Sequence, residues 1–117
     1  PFGGMVKGTH RSMMRKLKRA TPAEIERDFS ARVEPGLGYC RRVGNIMGGT
    51  VFMSLAGIIA HGDFSRARRI GVFSYGSGCC SEFYSGVAGP QAREALEAAR
   101  IGAGLDRRYM LSMEEYD

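Results

Sequence analysis

Arg69-Ile70-Gly71-Val72-Phe73-Ser74-Tyr75-Gly76-Ser77-Gly78, followed at once by Cys79-Cys80-Ser81-Glu82-Phe83-Tyr84-Ser85, is the stretch that decides how this chain folds. Branched and aromatic residues dominate both runs, so each reads as a strand, and the Gly-Ser-Gly pinch between them stops the first. Two strands joined by residues with almost no side chain leave backbone N–H groups facing outward and unscreened. Such a turn can present a donor pair to a developing oxyanion. The same pattern fits a plain tight hairpin. It does not fit a phosphate loop, because G-x-x-x-x-G-K-[ST] is absent and a strand follows where a helix would be required.

Upstream of that pair, Gly48 to Ala60 is apolar nearly all round (Val51, Phe52, Met53, Leu55, Ala56, Ile58, Ile59), which predicts a helix buried on most sides. Just before it stands Asn45, within Arg42-Val43-Gly44-Asn45-Ile46-Met47-Gly48-Gly49-Thr50. An Asn there suits a turn or a helix cap. Its carboxamide also offers a donor suited to gripping a thioester carbonyl. Tyr39–Val43 reads as a short strand and Gly44-Asn45 as a turn. Further back, Thr21-Pro22-Ala23-Glu24 is a helix start, with Thr as N-cap, Pro at the first position and Glu at the third. Ile25, Phe29 and Val33 share one stripe of that helix, and Glu34-Pro35-Gly36 ends it. Downstream, Gly89-Pro90 precedes a helix at about 91–99, Gly102–Gly104 reads as loose, and Ser112-Met113-Glu114-Glu115 opens another helix. Helices alternating with strands predict an α/β layered fold.

The first helix, roughly 5–19, is amphipathic: Met5, Val6, Thr9, Met13 and Leu17 recur at helical spacing. Its other face carries Lys7, Arg11, Arg15, Lys16, Lys18 and Arg19, with no acid among the first twenty residues. That face is either a solvated surface or a dock for an acidic partner or a phosphate-bearing ligand. Nucleic acid fits poorly, because aromatic residues do not interleave with these cations. His10 has no evident orienting group nearby and reads as a surface or partner contact rather than a base.

With 44% apolar and 25% charged residues the chain is globular in composition, so disorder is not expected. No apolar run approaches the ~20 residues needed to span a bilayer, which predicts no membrane segment and a cytoplasmic setting. Cys40 stands alone and Cys79-Cys80 are adjacent. Neither a metal site nor a disulfide framework fits that spacing, and buried thiols in a reducing compartment are expected. Pro1 cannot be an initiator, and the helix opened at Ser112 stops at Asp117, so a segment of a longer polypeptide is expected.

Three blocks, taken together, resemble the C-terminal part of HMG-CoA synthase, a thiolase-fold condensing enzyme. They are Pro1-Phe2 with Met5-Val6-Lys7-Gly8, Arg41-Arg42-Val43-Gly44-Asn45-Ile46, and Arg69 to Gly78 with Glu82-Phe83-Tyr84-Ser85-Gly86. The resemblance runs in order along nearly all of 1–117. It implies the C-terminal half of a thiolase-like layered fold, incomplete as a stand-alone domain. The nucleophilic Cys, the Glu and the His of the family's Phe-His-x-Pro-Phe stretch would all precede Pro1, so this segment alone would be inactive.

In that family an acetyl group is taken onto the cysteine, a glutamate removes a methyl proton, and the enolate attacks the β-carbonyl of an acetoacetyl thioester. Asn45 matches the Asn that holds this thioester, and Ser77 the position whose backbone N–H completes the oxyanion hole, with Gly76 and Gly78 shaping the loop. Cys79 and Cys80 do not match the nucleophile. Met5–Lys7, His10-Arg11 and Met14-Arg15-Lys16 look closest to the polyketide branch, which installs β-branches on acyl carrier protein substrates. Members acting on CoA usually place a Tyr shortly after the Asn, where Met47 and Gly48-Gly49 stand, and lysines near Gly4 and Gly8. Both departures favour the carrier-protein branch over primary-metabolism HMG-CoA synthase. A non-catalytic interaction module keeping the half-fold is the third alternative. No permanently bound cofactor is expected; the substrates would be phosphopantetheine-linked, and the whole protein a homodimer. Lys7, His10, Arg11 and Arg15 are the expected contacts to the partner or its phosphopantetheine arm.

Overall fold

Thr21 and Glu24 set one of the sharpest boundaries in the structure. Thr21 is extended, its hydroxyl accepts from the Glu24 N–H at 3.4 Å, and Glu24 Oε2 accepts in return from the Thr21 N–H at 2.8 Å. This reciprocal cap satisfies two donors that a helix start leaves free, and Pro22 occupies the first position, where no N–H is needed. The computed structural model describes residues 3–76 and 78–116. Helix α1 spans Gly3–Lys18 and α2, launched by Thr21, spans Pro22–Arg32.

A 3-10 turn, Glu34–Leu37, leads directly into α3, Gly38–Val43. The short strand expected at Tyr39–Val43 is therefore a helix. The reason is tertiary: Tyr39 and Cys40 are adjacent yet both buried, which a two-faced strand on a helix cannot arrange, whereas one helical turn can. Gly44 ends α3 at φ 83°, a left-handed conformation that favours glycine. A second 3-10 turn, Met47–Gly49, precedes α4, Thr50–His61. Cys40 Sγ lies 3.8 Å from Thr50 O and 3.4 Å from Ser54 Oγ, and the Tyr39 and His61 rings are 5.2 Å apart, so both ends of α4 rest on α3. Most of α4 is buried or half-buried, as its composition predicts, but Phe52 is exposed.

Strands β1 (Arg68–Gly76) and β2 (Cys80–Ala88) pair antiparallel, from Arg68↔Ala88 to Gly76↔Cys80. This hairpin is the whole sheet among the described residues, so the α/β character is helices packed with one strand pair rather than a helix-covered multi-strand layer. Val72 is buried on the side facing α4. The neighbouring pair Phe73↔Phe83 and Tyr75 point the other way and stay exposed, as the two-residue period of a strand requires. Helix α5 (Pro90–Ala99) follows, and Arg93 donates to Gly62 O at 2.6 Å, closing off the carbonyl end of α4.

The loose stretch expected at Gly102–Gly104 is instead helix α6, Ile101–Asp106. It touches α3 at two points: Arg42 pairs with Asp106 at 2.6 Å, and a Cβ on Gly102 would meet Tyr39 Oη at 3.6 Å. Ser112 and Glu115 cap α7 (Met113–Tyr116) reciprocally, as their spacing predicts. The radius of gyration is 16.0 Å, against about 13 Å for a compact domain of this length. No described side chain is more than 98% buried. The core is correspondingly thin: Met14, Ile25, Phe29, Leu37, Tyr39, Cys40, Ala56, Phe64 and Val72.

Candidate functional site

Asn45 sits in the connection between α3 and α4, on the surface, with a side chain that is nonetheless tied down. Its Oδ1 accepts from the Met47 N–H at 3.1 Å and from the Thr50 hydroxyl at 3.0 Å. Met47 takes φ 55°, which brings its N–H back over the carboxamide. With the oxygen occupied by two donors, the amide NH2 is the end left for a ligand, and no described residue accepts from it. Asn45 is thus a turn residue, as one of its two sequence readings has it, and the turn occupies its oxygen.

The Met47–Gly49 turn packs against β1, which brings the Asn45 connection to the hairpin. Gly76 closes the ladder opposite Cys80, and Gly78 has open space around it, so the tip is narrow and unscreened. Ser77, expected to supply the oxyanion N–H, lies outside the described residues, as do Pro1-Phe2. Cys79 (φ 57°) and Cys80 are exposed at the tip, contrary to the expectation of buried thiols, while Cys40 is buried as expected. A hairpin tip has no second layer to bury a side chain against.

The four residues expected to meet a partner separate into two groups. His10 is not a surface contact: it is 6% exposed, on the inner stripe of α1 with Met14 four residues on. Its ring meets Phe29 of α2 at a tilt of 55° with centroids 5.7 Å apart, and Nε2 lies 3.1 Å from Asp28 Oδ2 without hydrogen-bond alignment. Asp28 in turn accepts from Arg32 at 2.8 Å, and that bond holds its carboxyl below the ordinary range. Lys7 is half-buried, paired with Glu26 and 5.3 Å from the Phe29 ring centre. Arg11 and Arg15, by contrast, are exposed and pair with no described carboxylate. Thr50, 4% exposed, is the site residue that sequence reading missed; its only signal was a hydroxyl opening an otherwise apolar helix.

Residues 6–117 match the family described as hydroxymethylglutaryl-coenzyme A synthase C terminal, and the chain belongs to that family. It is 60% identical over 117 residues to the polyketide biosynthesis 3-hydroxy-3-methylglutaryl-ACP synthase PksG of Bacillus subtilis, covering all of this chain and 28% of that protein. It is 37% identical over 110 residues to the hydroxymethylglutaryl-CoA synthase of Enterococcus faecalis, covering 92% of this chain and again 28% of the relative. Among solved structures, the curacin biosynthetic pathway HMG synthase in complex with holo donor-ACP superimposes with a TM-score of 0.93 at 67% identity, over 99% of this chain and 28% of that one. The chain thus spans less than a third of the length of the relatives it matches.

Proposed function

We propose that this chain is the acceptor-binding portion of an HMG synthase that works on an acyl carrier protein, in polyketide β-branching. The observation that carries the reading is the fixed polarity of Asn45. Its oxygen is bonded at 3.0 and 3.1 Å to Thr50 and Met47, which leaves its NH2 as the end able to donate to a carbonyl ligand. The 60% identity to an HMG-ACP synthase supports the carrier-protein acceptor.

In this reading the cysteine, the glutamate and the histidine come from residues outside the chain. The cysteine holds the acetyl group, and the glutamate takes a proton from its methyl carbon. The carbanion adds to the β-carbonyl of the acetoacetyl thioester, that oxygen gains a proton, and hydrolysis frees the cysteine. Asn45 donates to the acetoacetyl thioester and holds it for attack. The backbone N–H of Ser77, shaped by Gly76 and Gly78, stabilises negative charge on the acetyl-enzyme, a contact typically worth about 3–4 kcal/mol of barrier. Arg11 and Arg15 face the acidic carrier protein, whose phosphopantetheine arm delivers the substrate. The whole enzyme is a homodimer in the cytoplasm.

Replacing Asn45 by Ala in the synthase that carries this chain is expected to slow condensation on the order of a hundredfold. Acetyl loading of the cysteine continues unimpaired. Condensation at the normal rate overturns the role given to Asn45. Offering acetoacetyl-carrier protein and acetoacetyl-CoA side by side tests the acceptor; preference for the CoA ester would return the protein to the primary-metabolism branch, to which it has 37% identity in the Enterococcus enzyme.

A further inference from the structure

Thr50 is a buried hydroxyl with a hydrogen-bonding arrangement that leaves its proton one destination. The Ile46 N–H donates to Thr50 Oγ1 at 3.0 Å, and Oγ1 lies 3.0 Å from Asn45 Oδ1. An N–H can only donate, so it takes a lone pair of the hydroxyl. The single hydroxyl proton is then directed to Asn45. The Met47 N–H approaches the same Oδ1 at 3.1 Å. Turning the carboxamide over would set its NH2 against the Met47 N–H, donor against donor, so only one orientation is satisfied.

The threonine is packed on the inner side of α4. It is 4% exposed, and Cys40 Sγ sits 3.8 Å from its carbonyl oxygen, where the first turn of α4 meets α3. We infer that Thr50 is the positioning residue of the acceptor site, locking the Asn45 carboxamide with its NH2 toward the thioester. This rests on the reading of Asn45 as the acceptor contact, and it gives that contact its directionality. Met47 alone would leave the carboxamide one bond and a free pivot; the hydroxyl supplies the second point that fixes its plane.

The test compares Thr50→Val, which keeps the shape and removes the hydroxyl, with Thr50→Ser, which restores it, in the synthase that carries this chain. Thr50→Val is expected to lower kcat for condensation about tenfold to a hundredfold, as a small misplacement of a binding group does. Acetyl loading should be unchanged, and Thr50→Ser should recover at least half of the rate. Adding Thr50→Val to Asn45→Ala should cost no further activity, because both act through one group. Thr50→Cys, a similar volume with a weak donor, is measured alongside and should fall between Ser and Val; it carries the comparison if Val does not fold.

Several outcomes overturn the inference. Normal condensation in Thr50→Val or Thr50→Cys while Asn45→Ala is impaired removes Thr50 and leaves Asn45 in place. Normal condensation in Asn45→Ala removes both. Equal loss of loading and condensation, or losses that add to those of Asn45→Ala, would make Thr50 a merely structural residue.

Discussion

Gly57 and Gly36 meet backbone to backbone: a Cβ on Gly57 would lie 2.9 Å from Gly36 O and 3.2 Å from Pro35 O. This is how α4 lies close over the 3-10 turn that leads into α3, and it sets the platform from which the Asn45 connection leaves. Both glycines are buried.

Gly57→Ala should therefore destabilise the protein by about 1–3 kcal/mol, the usual cost of overpacking. Helix propensity alone argues the opposite sign, since replacing an interior glycine by alanine ordinarily gains ~0.5–1 kcal/mol. The backbone contact wins because neither carbonyl can rotate away as a side chain could. Urea denaturation of the wild type and the variant decides it; an unchanged or higher midpoint would mean that α4 shifts freely off the turn.

Asp63 folds the connection between α4 and β1. Its Oδ1 accepts from the Ser65 hydroxyl at 2.7 Å and the Ser65 N–H at 3.1 Å, and Arg68 pairs with Oδ2. The Ser65 bonds first, then Arg68, lower its pKa to about 2. A folded-state pKa below the unfolded value of ~3.9 gives stability that is present above pH ~4 and lost as pH falls toward 2. Asp63→Asn should flatten that part of the pH–stability curve. A titration following the Asp63 carboxyl carbon by NMR should show the lowered midpoint directly, and an ordinary value would contradict the turn geometry.

In the proposed reading, Arg11→Glu with Arg15→Glu should weaken binding of an acyl carrier protein, chiefly through slower association, and the deficit should narrow as salt rises. Both side chains are exposed, so folding should be little affected. Surface plasmon resonance at two ionic strengths reads this. Affinity that neither changes with the substitutions nor responds to salt would move the docking surface elsewhere on the protein.

His10 and Lys7 mark the limit of reading a helix by its charges. On the linear sequence Lys7 belongs to one basic face with Arg11 and Arg15 and His10 reads as a surface or partner contact beside it, but α2 packs on the side that carries His10 and Met14. Phe29 supplies the ring that His10 packs against, and Glu26 the carboxylate that pairs with Lys7. Position on a helix is local information; which side meets a neighbour is not.

Features whose partners lie within a few residues follow from local pattern alone. The capping boxes at Thr21–Glu24 and Ser112–Glu115 and the hairpin from Arg68 to Ala88 all formed as their spacing requires. The helices at Gly38–Val43 and Ile101–Asp106 are where the tertiary structure departs from the local pattern: Cys40 and Tyr39 contact α4, and Arg42 pairs with Asp106 of α6, 64 residues away. The orientation of Asn45 is local too, its oxygen held by Met47 two residues on and Thr50 five residues on, but the buried place of Thr50 depends on α4 packing against α3. Short-range hydrogen bonds compete only with water and local entropy, whereas a weak local preference yields to whatever surface the rest of the chain packs against it.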